Sequence, residues 1–457
     1  MKHAWDRTRF GWVAAAVGFA AVLGNAGAAR AAPAAQPVAI FHAFDQAFAD
    51  VTRFVCDLGD QGYSHVQISP VQKSNPTDQW WGRYQPVDYS VIQGRGSEAE
   101  LKALITKAHG CGVKVIADVV FNHMADLPEF ATHNYPQLGP PNFHERCDIK
   151  YDDGNRDTEL RCWLGTLPDL DQSKPAVMKV HKAHLKKLLG LGVDGFRFDA
   201  AKHMPMAVVK QYIDYVNAQS KGNAWNYLEV IEDHDTTAQD YNGVAAVEDF
   251  LLYASMKTAF TLGGDLRALR VPTAVDDPRS VTFGRNHDNI RAINSGAINA
   301  YDNPVDSYFA TAFVLAHQPG TPLVLNWDNV DVPFIRAGVK FRQIMRQRGD
   351  GGANVRETVL AVVDNQNVLM MERGAEGFFV VNKAAQKFDL PALDLTLTNL
   401  EGCYRELRNN FFVAVQRDNN AKKFVTRWGA PNRGGMEVQA RDALYFIREP
   451  FSACQLH

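Results

Sequence analysis

The sequence lacks any block of basic residues of the kind that neutralises a run of phosphates. Its 48 Lys and Arg residues stand against 51 Asp and Glu residues, a net charge of −3, so we expect no nucleic-acid partner. Internal repeats are also missing. The 457 residues, 46% of them hydrophobic, exclude disordered, collagen-like and coiled-coil chains and are typical of a large globular protein.

A strongly apolar run long enough to span a bilayer is missing as well. The uncharged stretch from Gly11 is dominated by Ala and Gly, and its strongly apolar part ends near Leu23, short of the ~20 residues that a span needs. Basic residues precede it, and Ala29-Arg30-Ala31 has the small-x-small form that signal peptidase accepts. This predicts a secretory signal peptide over residues 1–31, with a membrane anchor as the alternative.

Cleavage at this point would remove four basic residues and one acidic residue. It would leave 44 Lys and Arg residues against 50 Asp and Glu residues, a net charge of −6. We therefore expect a mildly acidic, secreted, monomeric protein without membrane association, with the periplasm as the alternative destination. All six cysteines follow the cleavage point, and an even number in an exported chain predicts three disulfides. Six cysteines allow 15 pairings, and their number does not choose among them.

Short apolar strands alternate with amphipathic helical patterns after the signal. The clearest helix covers residues 98–109, where Ser97 and Glu100 form a capping box and Gly110 ends the pattern. The predicted strands are Val38–Phe41, His65–Ile68, Val113–Val120, Val193–Phe198, Tyr227–Ile231, Val244–Val247, Val281–Phe283 and Pro322–Leu325. Eight such alternations with continuously apolar strands favour a parallel (β/α)8 TIM barrel, and a doubly wound sheet is the alternative.

The pattern changes twice along the chain. Residues 124–174, rich in Asp, Asn, Pro and Gly, interrupt the third strand–helix unit and are interpreted as an inserted subdomain. From residue 356 to the end, strands follow one another without helices, which predicts an antiparallel C-terminal β-sandwich domain. The barrel would then consist of residues 32–123 and 175–355.

Polar side chains follow four of the predicted barrel strands, at the ends where active sites of parallel barrels lie. These ends read DVVFNH at residues 118–123, GFRFDAAKH at 195–203, LEV at 228–230 and NHD at 286–288. A single Asp at a strand end is more often a helix cap than a catalyst, and Arg197 with Asp118 could be a structural ion pair. Because polar side chains occur at the same end of several successive strands, an active site is favoured over a set of unrelated caps and ion pairs.

Several carboxylates without a nucleophilic Cys, a Ser triad or a phosphate loop indicate glycoside hydrolysis. Glu229 lies among apolar neighbours, which suits a general acid of raised pKa. Asp199 lies two residues from Arg197 on one strand face, which suits an ionised nucleophile held by a cation.

The four ordered motifs, together with WWGRYQPVDY at residues 80–89, resemble the α-amylase family of glycoside hydrolases from Val38 to about Lys340. The resemblance implies Asp199 as nucleophile, Glu229 as general acid/base and Asp288 as transition-state stabiliser. It further implies that Arg197 sets the ionisation of Asp199, and it assigns sugar contacts to Trp81, Tyr84, His123, His287, Lys202 and His203. Trp80 could be a core residue or a sugar platform.

The same resemblance implies a structural Ca²⁺ held by Asn122, Asp169 and the backbone carbonyls of Leu160 and His203, an all-oxygen set that suits this ion. It also implies the disulfides Cys56–Cys111 and Cys147–Cys162, which leaves Cys403 with Cys454. Chloride is not expected, because Leu323 occupies the place of a basic ligand although Arg197 and Asn286 are present. Gly284 departs from the commoner fourth motif.

The predicted function is that of a secreted, retaining, endo-acting α-amylase that cleaves α-1,4-glucosidic bonds of starch-like α-glucans. Two alternatives remain. One is a transglycosylase or exo-acting maltooligosaccharide-forming enzyme of the same fold, which would use the same carboxylates. The other is a non-catalytic glucan-binding barrel, which would have no need for all three acids.

Overall fold

The computed structural model describes residues 34–275, 277–289, 301, 303–328, 330–349, 355–360, 365–390, 400–418, 421–425 and 436–454. The predicted signal peptide over residues 1–31 lies outside them and stays a prediction. Within the described part of the chain, no helix is both long and apolar enough to cross a membrane.

The described residues between 40 and 347 form a barrel. Its described strands, with one additional hairpin, are β1 (Ile40–Ala43), β2 (His65–Ile68), β3 (Gln72–Ser74), β4 (Pro86–Ile92), β5 (Lys114–Val120), β6 (Gly195–Asp199), β7 (Tyr227–Leu228), β8 (Ala246–Glu248), β9 (Ser280–Phe283) and β10 (Thr321–Leu325). All except the β3–β4 hairpin close in the order β1-β10-β9-β8-β7-β6-β5-β2.

Closure of the barrel depends on β1, which pairs in parallel with both the second and the last strand. Ile40 lies opposite His65 of β2 on one side and Leu323 of β10 on the other. A doubly wound sheet would leave two free edges, and this sheet has none. The predicted eight-stranded parallel barrel is therefore confirmed.

Helices surround the barrel: α1 (Phe48–Gln61), α2 (Glu98–Gly110), α3 (Pro175–Leu191), α4 (Met206–Ser220), α5 (Ala238–Asn242), α6 (Phe250–Phe260), α7 (Pro304–Ala316) and α8 (Pro333–Gln347). Local sequence explains their ends. The predicted capping box begins α2, because Glu100 Oε2 accepts from the Ser97 amide at 2.7 Å and Ser97 Oγ accepts from the Glu100 amide at 3.3 Å. Gly62 ends α1 in the left-handed region, at φ 107°.

Gly284, where the fourth motif departs from its commoner form, lies where α7 packs on the end of β9. A Cβ at this position would lie 2.3 Å from Thr311 Oγ1 and 2.4 Å from the Thr311 amide nitrogen. The departure therefore accommodates a close helix and does not disturb the strand.

Residues 124–174 connect β5 to α3 without an α-helix and with only short 3₁₀ turns and isolated bridges. The segment returns to the barrel where it began: the amide of Leu170 donates to the Asn122 carbonyl at 2.9 Å, and that of Met124 donates to the Pro168 carbonyl at 3.0 Å. Both of its ends are thus fixed beside the end of β5.

The C-terminal region is antiparallel, as predicted. Its strands are β11 (Glu357–Leu360), β12 (Val368–Arg373), β13 (Gly377–Asn382), β14 (Phe388–Leu390), β15 (Gly402–Glu406), β16 (Phe412–Asp418), β17 (Ala421–Val425), β18 (Met436–Val438) and β19 (Asp442–Glu449). Seven form one sheet in the order β11-β12-β13-β19-β15-β16-β17, and β14 pairs with β18. Tyr445 joins the barrel core and donates from its hydroxyl to the Ala312 carbonyl at 2.8 Å. The exact domain boundaries stay a prediction.

Three disulfides connect Cys56 to Cys111, Cys147 to Cys162 and Cys403 to Cys454. The pairing expected from the family resemblance is therefore confirmed. The first pair joins α1 to the end of α2, the second closes a loop within residues 124–174, and the third anchors the C-terminal segment to β15.

Candidate active site

Five carboxyl groups meet around one guanidinium at the C-terminal mouth of the barrel. The carboxyls come from five successive strand ends, since parallel strands bring their carboxyl ends to one rim. In the order β5 to β9 they belong to Asp118, Asp199, Glu229, Glu248 and Asp288.

Arg197, fully buried on β6, contacts four of these carboxyls directly. Its Nη1 lies 2.7 Å from Asp199 Oδ1 and 2.9 Å from Asp118 Oδ2. Its Nη2 lies 2.7 Å from Glu229 Oε1, and its Nε lies 3.0 Å from Glu248 Oε1. Each edge of the guanidinium thus faces a carboxylate, and the expected Arg197–Asp118 ion pair belongs to the site itself.

One cation does not compensate five carboxyls, four of which are buried while the side chain of Asp288 is 20% exposed. Burial raises the pKa of Asp199 to about 8, the charge of Glu229 adds to the rise, and Arg197 opposes it. Burial also raises the pKa of Glu248 to about 7 and that of Asp288 well above its ordinary value. The contact predicted between Arg197 and Asp199 is present, and Arg197 lowers the pKa of Asp199 as expected, but burial outweighs this effect. The cluster retains protons near neutral pH.

Glu229 has more polar surroundings than its sequence neighbours indicate. Its Oε2 accepts from the Ala200 amide at 2.7 Å while its Oε1 faces Arg197. The apolar neighbours Leu228 and Val230 are buried in the barrel core. Successive residues of a strand point to opposite faces, so neighbours in sequence are poor indicators of the surroundings of a mouth residue.

Asp288 lies on the turn after β9, and its conformation is set by Asn286. The amides of Asp288 and Asn289 both donate to Asn286 Oδ1, at 3.1 and 3.2 Å. Asp288 Oδ2 is buried and has no hydrogen-bond partner among the described residues. His287 Nε2 lies 3.4 Å from the other carboxylate oxygen.

Tyr84 forms the floor of the mouth beside the carboxyls. Its hydroxyl donates to Asp118 Oδ2 at 3.1 Å, and its ring stacks on that of His287 with centroids 5.1 Å apart. His123 lies behind it, with Nε2 2.9 Å from the Tyr84 carbonyl. The sugar contacts predicted for these three residues stay predictions, and His123 also supports the backbone of Tyr84.

Aromatic rings continue from this floor toward solvent. Trp80 packs edge-on against Phe44 at 5.4 Å, whereas Trp81 is 41% exposed. Trp327, which follows β10, is also 41% exposed and packs on Phe44 at 5.0 Å. Trp80 therefore belongs to the packed wall, and Trp81 stays a predicted sugar platform.

Lys202 and His203 lie after β6, on the side of the mouth opposite β10 in the strand order. The Lys202 ammonium pairs with Asp233 and lies 4.7 Å above the ring of Tyr151. His203 Nδ1 lies 3.1 Å from the Glu159 carbonyl. Neither side chain is more than 8% exposed, so both predicted leaving-group contacts would require an approach into the mouth.

Two of the predicted calcium ligands, Asn122 and Asp169, lie where residues 124–174 meet the barrel, and the places of the Leu160 and His203 carbonyls in a calcium site stay predictions. Asn122 Oδ1 and Asp169 Oδ1 are both buried without a hydrogen-bond partner among the described residues. The two residues lie on adjoining backbone, because His123 and Asp169 form a β-bridge. Two buried oxygens without hydrogen-bond partners at such a place fit a hard cation. In the described chain no three His, Cys, Asp or Glu side chains form a metal cluster, and the calcium ion stays a prediction.

The residues considered for chloride are already engaged with each other. Asn286 Nδ2 donates to Glu248 Oε2 at 3.3 Å, and Arg197 binds the other oxygen of that carboxylate. Leu323 is 2% exposed and lies in register with Phe283 on β9.

Sequence reasoning missed Glu248 and Trp327. Each comes at or just after a predicted strand, Glu248 after Val247 and Trp327 two residues after Leu325. The rule that strand ends carry function would have found both. Neither lies in one of the four motifs.

Comparison with known proteins agrees with this geometry. Residues 57–263 match the family model described as "Alpha amylase, catalytic domain". The chain is 33% identical over 322 residues to an alpha-amylase of Phaedon cochleariae, covering 64% of this chain and 65% of that protein. It is 34% identical over 310 residues to an alpha-amylase of Aeromonas hydrophila, covering 62% of this chain and 67% of that protein.

The fold matches that of a mutant of alpha-amylase I from Eisenia fetida, whose structure is a complex with maltohexaose. The TM-score is 0.73 at 23% identity, over 90% of this chain and 99% of that one. The chain thus spans about two thirds of the length of its curated relatives and nearly the whole of a solved fold. With the barrel, the ordered motifs and these relatives together, the chain belongs to the α-amylase family of glycoside hydrolases.

Proposed function

We propose that the protein is a secreted α-amylase that cleaves internal α-1,4-glucosidic bonds of starch-like α-glucans with retention of configuration. The observation that carries this proposal is the attachment of Asp199 and Glu229 to two nitrogens of one buried guanidinium, each at 2.7 Å. Retaining glycosidases need a nucleophile and an acid as close neighbours, and this arrangement makes them so.

In the proposed reaction, the ionised form of Asp199 attacks the anomeric carbon while Glu229 protonates the departing glycosidic oxygen. Glu229 then takes a proton from water, which attacks the glycosyl–Asp199 ester and releases the α-anomer. Asp288, whose Oδ2 has no partner among the described residues, accepts hydrogen bonds from sugar hydroxyls and supports the oxocarbenium charge. Arg197 stabilises the carboxylate that Asp199 becomes again when it leaves.

The aromatic mouth supports a glucan substrate. Trp81 is exposed beside the half-buried Trp80 and the buried Tyr84 and His287, and flat rings suit the apolar faces of glucose. The Eisenia fetida relative was crystallised with maltohexaose, a linear α-glucan of the same class.

Structural calcium is part of the proposal. Asn122, Asp169 and the carbonyls of Leu160 and His203 would hold the ion, which would tie residues 124–174 to the barrel and supply no chemistry to the cleavage itself. The two orphaned side-chain oxygens support this assignment.

Three disulfides support an oxidising destination outside the cytoplasm. Together with the predicted signal peptide they favour secretion over retention in the cell.

The test measures reducing ends and viscosity together on soluble starch. An endo-acting enzyme should lower viscosity steeply while few reducing ends appear, and the first anomer seen by proton NMR should be α. A slow fall in viscosity at the same release of reducing ends would indicate exo action. Cyclic or lengthened products from maltohexaose would indicate a transglycosylase, and no product at all would leave only glucan binding.

A further inference from the structure

Glu248 is a carboxylate at the end of β8 that the cleavage steps above do not use. Its side chain is only 2% exposed, and burying a carboxylate is costly unless it is paired. Its two oxygens have separate partners: Oε1 accepts from Arg197 Nε at 3.0 Å, and Oε2 accepts from Asn286 Nδ2 at 3.3 Å.

The carboxylates around Arg197 fall into two layers. The side chains of Asp118 and Glu248 are 0% and 2% exposed, and they hold the inner edges of the guanidinium. Those of Asp199 and Glu229 are each 10% exposed and face the mouth. The inner pair fixes the plane of the guanidinium, and that plane places the outer pair.

Glu248 also reaches the third carboxyl. Its partner Asn286 accepts the backbone amide of Asp288 at 3.1 Å, so a continuous chain of hydrogen bonds runs from Arg197 through Glu248 and Asn286 to the turn that carries Asp288. A second contact between the cluster and this turn runs through Tyr84, whose hydroxyl donates to Asp118 and whose ring stacks on His287.

We propose that Glu248 is a positioning residue that holds Arg197 and the Asn286–Asp288 turn in one arrangement, so that the three carboxyls at the mouth are fixed relative to one another. This inference rests on the proposed function, because it assigns those three carboxyls to one reaction. Glu248 touches neither the reacting bond nor the sugar in this scheme and acts through its two partners.

The charge of Glu248 matters as well as its shape. It faces Arg197 from β6, Asp288 and Asn286 from the turn after β9, and Glu229 and the phenol of Tyr227 from β7. Most of these groups are acidic. Removing the Glu248 charge therefore leaves more of the Arg197 charge to the outer carboxyls and eases their ionisation.

The experiment compares Glu248→Gln and Glu248→Ala with the wild-type enzyme on maltohexaose and on starch. Gln keeps the volume and one acceptor oxygen but loses the charge and cannot accept from both partners. We expect kcat to fall on the order of 10²-fold in the Gln variant, with KM much less affected, since misplacement of reacting groups by about 1 Å costs this much. The acid limb of the pH profile should move to lower pH.

Chemical rescue distinguishes a positioning role from simple packing. Glu248→Ala leaves a space between two donors that formate, a small carboxylate, can enter. Formate should raise kcat of the Ala variant in a saturable way and leave the wild type unchanged, with ionic strength held constant. Glu406→Gln is the matched control, because it neutralises a buried carboxylate of the C-terminal sheet that accepts from the backbone amides of Arg408 and Asn409. It should change stability alone.

Wild-type kcat and an unshifted pH profile in Glu248→Gln would overturn the inference while the proposed function stands. So would a loss of activity that formate does not relieve and that accompanies only a lower melting temperature. A crystal structure of Glu248→Gln in which Arg197 and Asp288 keep their places would do the same, whatever the activity. A folded wild-type enzyme without activity on α-glucans would instead overturn the proposed function.

Discussion

Asp199 is the residue on which the proposed reaction depends most. Replacing it with Asn removes the group that forms the glycosyl ester, so we expect kcat to fall by on the order of 10⁴ or more, about 5.5 kcal/mol of barrier. The amide oxygen can still accept from Arg197 Nη1, now 2.7 Å from Asp199 Oδ1, and the fold should persist. A variant that keeps a tenth of wild-type activity with unchanged substrate binding would contradict the assignment.

The raised pKa of Asp199 makes the free energy of unfolding depend on pH. Burial raises this pKa from 3.8 to about 8, so the folded protein binds a proton more tightly than the unfolded chain does. The unfavourable contribution of this carboxyl is therefore small below pH 4 and grows as the pH rises toward 8. We expect the melting temperature of Asp199→Asn, relative to wild type, to increase from pH 5 to pH 8.

The difference between the two proteins is the quantity to measure, because the buried histidines change the stability of both in the same way. Burial lowers the pKa of His42 and His65 to about 3, for example. The unfolded chain therefore binds protons at these histidines more tightly than the folded protein does, which lowers the stability of the fold at acid pH. A difference in melting temperature that does not change with pH would show that Asp199 has an ordinary pKa.

At the scale of elements, the 3₁₀ turn Trp80–Tyr84 presents one ring to solvent and keeps the others packed. Removing the exposed ring by Trp81→Ala should raise KM for starch and maltohexaose with little change in kcat, because stacking of about 1 kcal/mol is lost equally in the ground and transition states. Phe451→Ala removes another exposed ring, 48% exposed and in the C-terminal segment, and serves as the control. Equal KM values for both variants would count against a platform at Trp81.

The connection between residues 124–174 and the barrel gives a prediction about metal removal. Chelation should lower the melting temperature and activity together, and added Ca²⁺ should restore both, since an ion at 100 times its Kd contributes about 2.7 kcal/mol. Asp169→Asn should lose most of this response. Asp157→Asn changes an exposed acid of the same segment, with a side chain 63% exposed, and should keep the response. A wild-type melting curve that does not change in excess chelator would contradict the proposed calcium site.

For the whole molecule, we expect activity to be nearly independent of chloride. The donors of Arg197 face carboxylates, Asn286 donates to Glu248, and Leu323 offers no charge to a further anion. Chloride titrated at constant ionic strength into chloride-free enzyme should leave kcat unchanged. A several-fold saturable activation would mean that an anion competes successfully with Glu248 for its partners.

Much of the fold was accessible from the sequence because its signals are local. The capping box at Ser97 and Glu100 and the continuously apolar strands such as Val113–Val120 are read within a few residues, and the structure places these elements within a few residues of their predicted bounds. The ordered motifs likewise located Asp199, Glu229 and Asp288 at one mouth, since the order of strands around a barrel follows the order along the chain.

Only the tertiary structure decided how these groups share charge. The sequence places Asp199 beside Arg197, but it does not reveal that Asp118, Glu229 and Glu248 face the same guanidinium, because they come from three other strands. Burial of Asp199 then outweighs the lowering of its pKa by its nearest charged neighbour, Arg197. Desolvation and long-range pairing depend on the closed barrel as a whole, and no local pattern of residues encodes them.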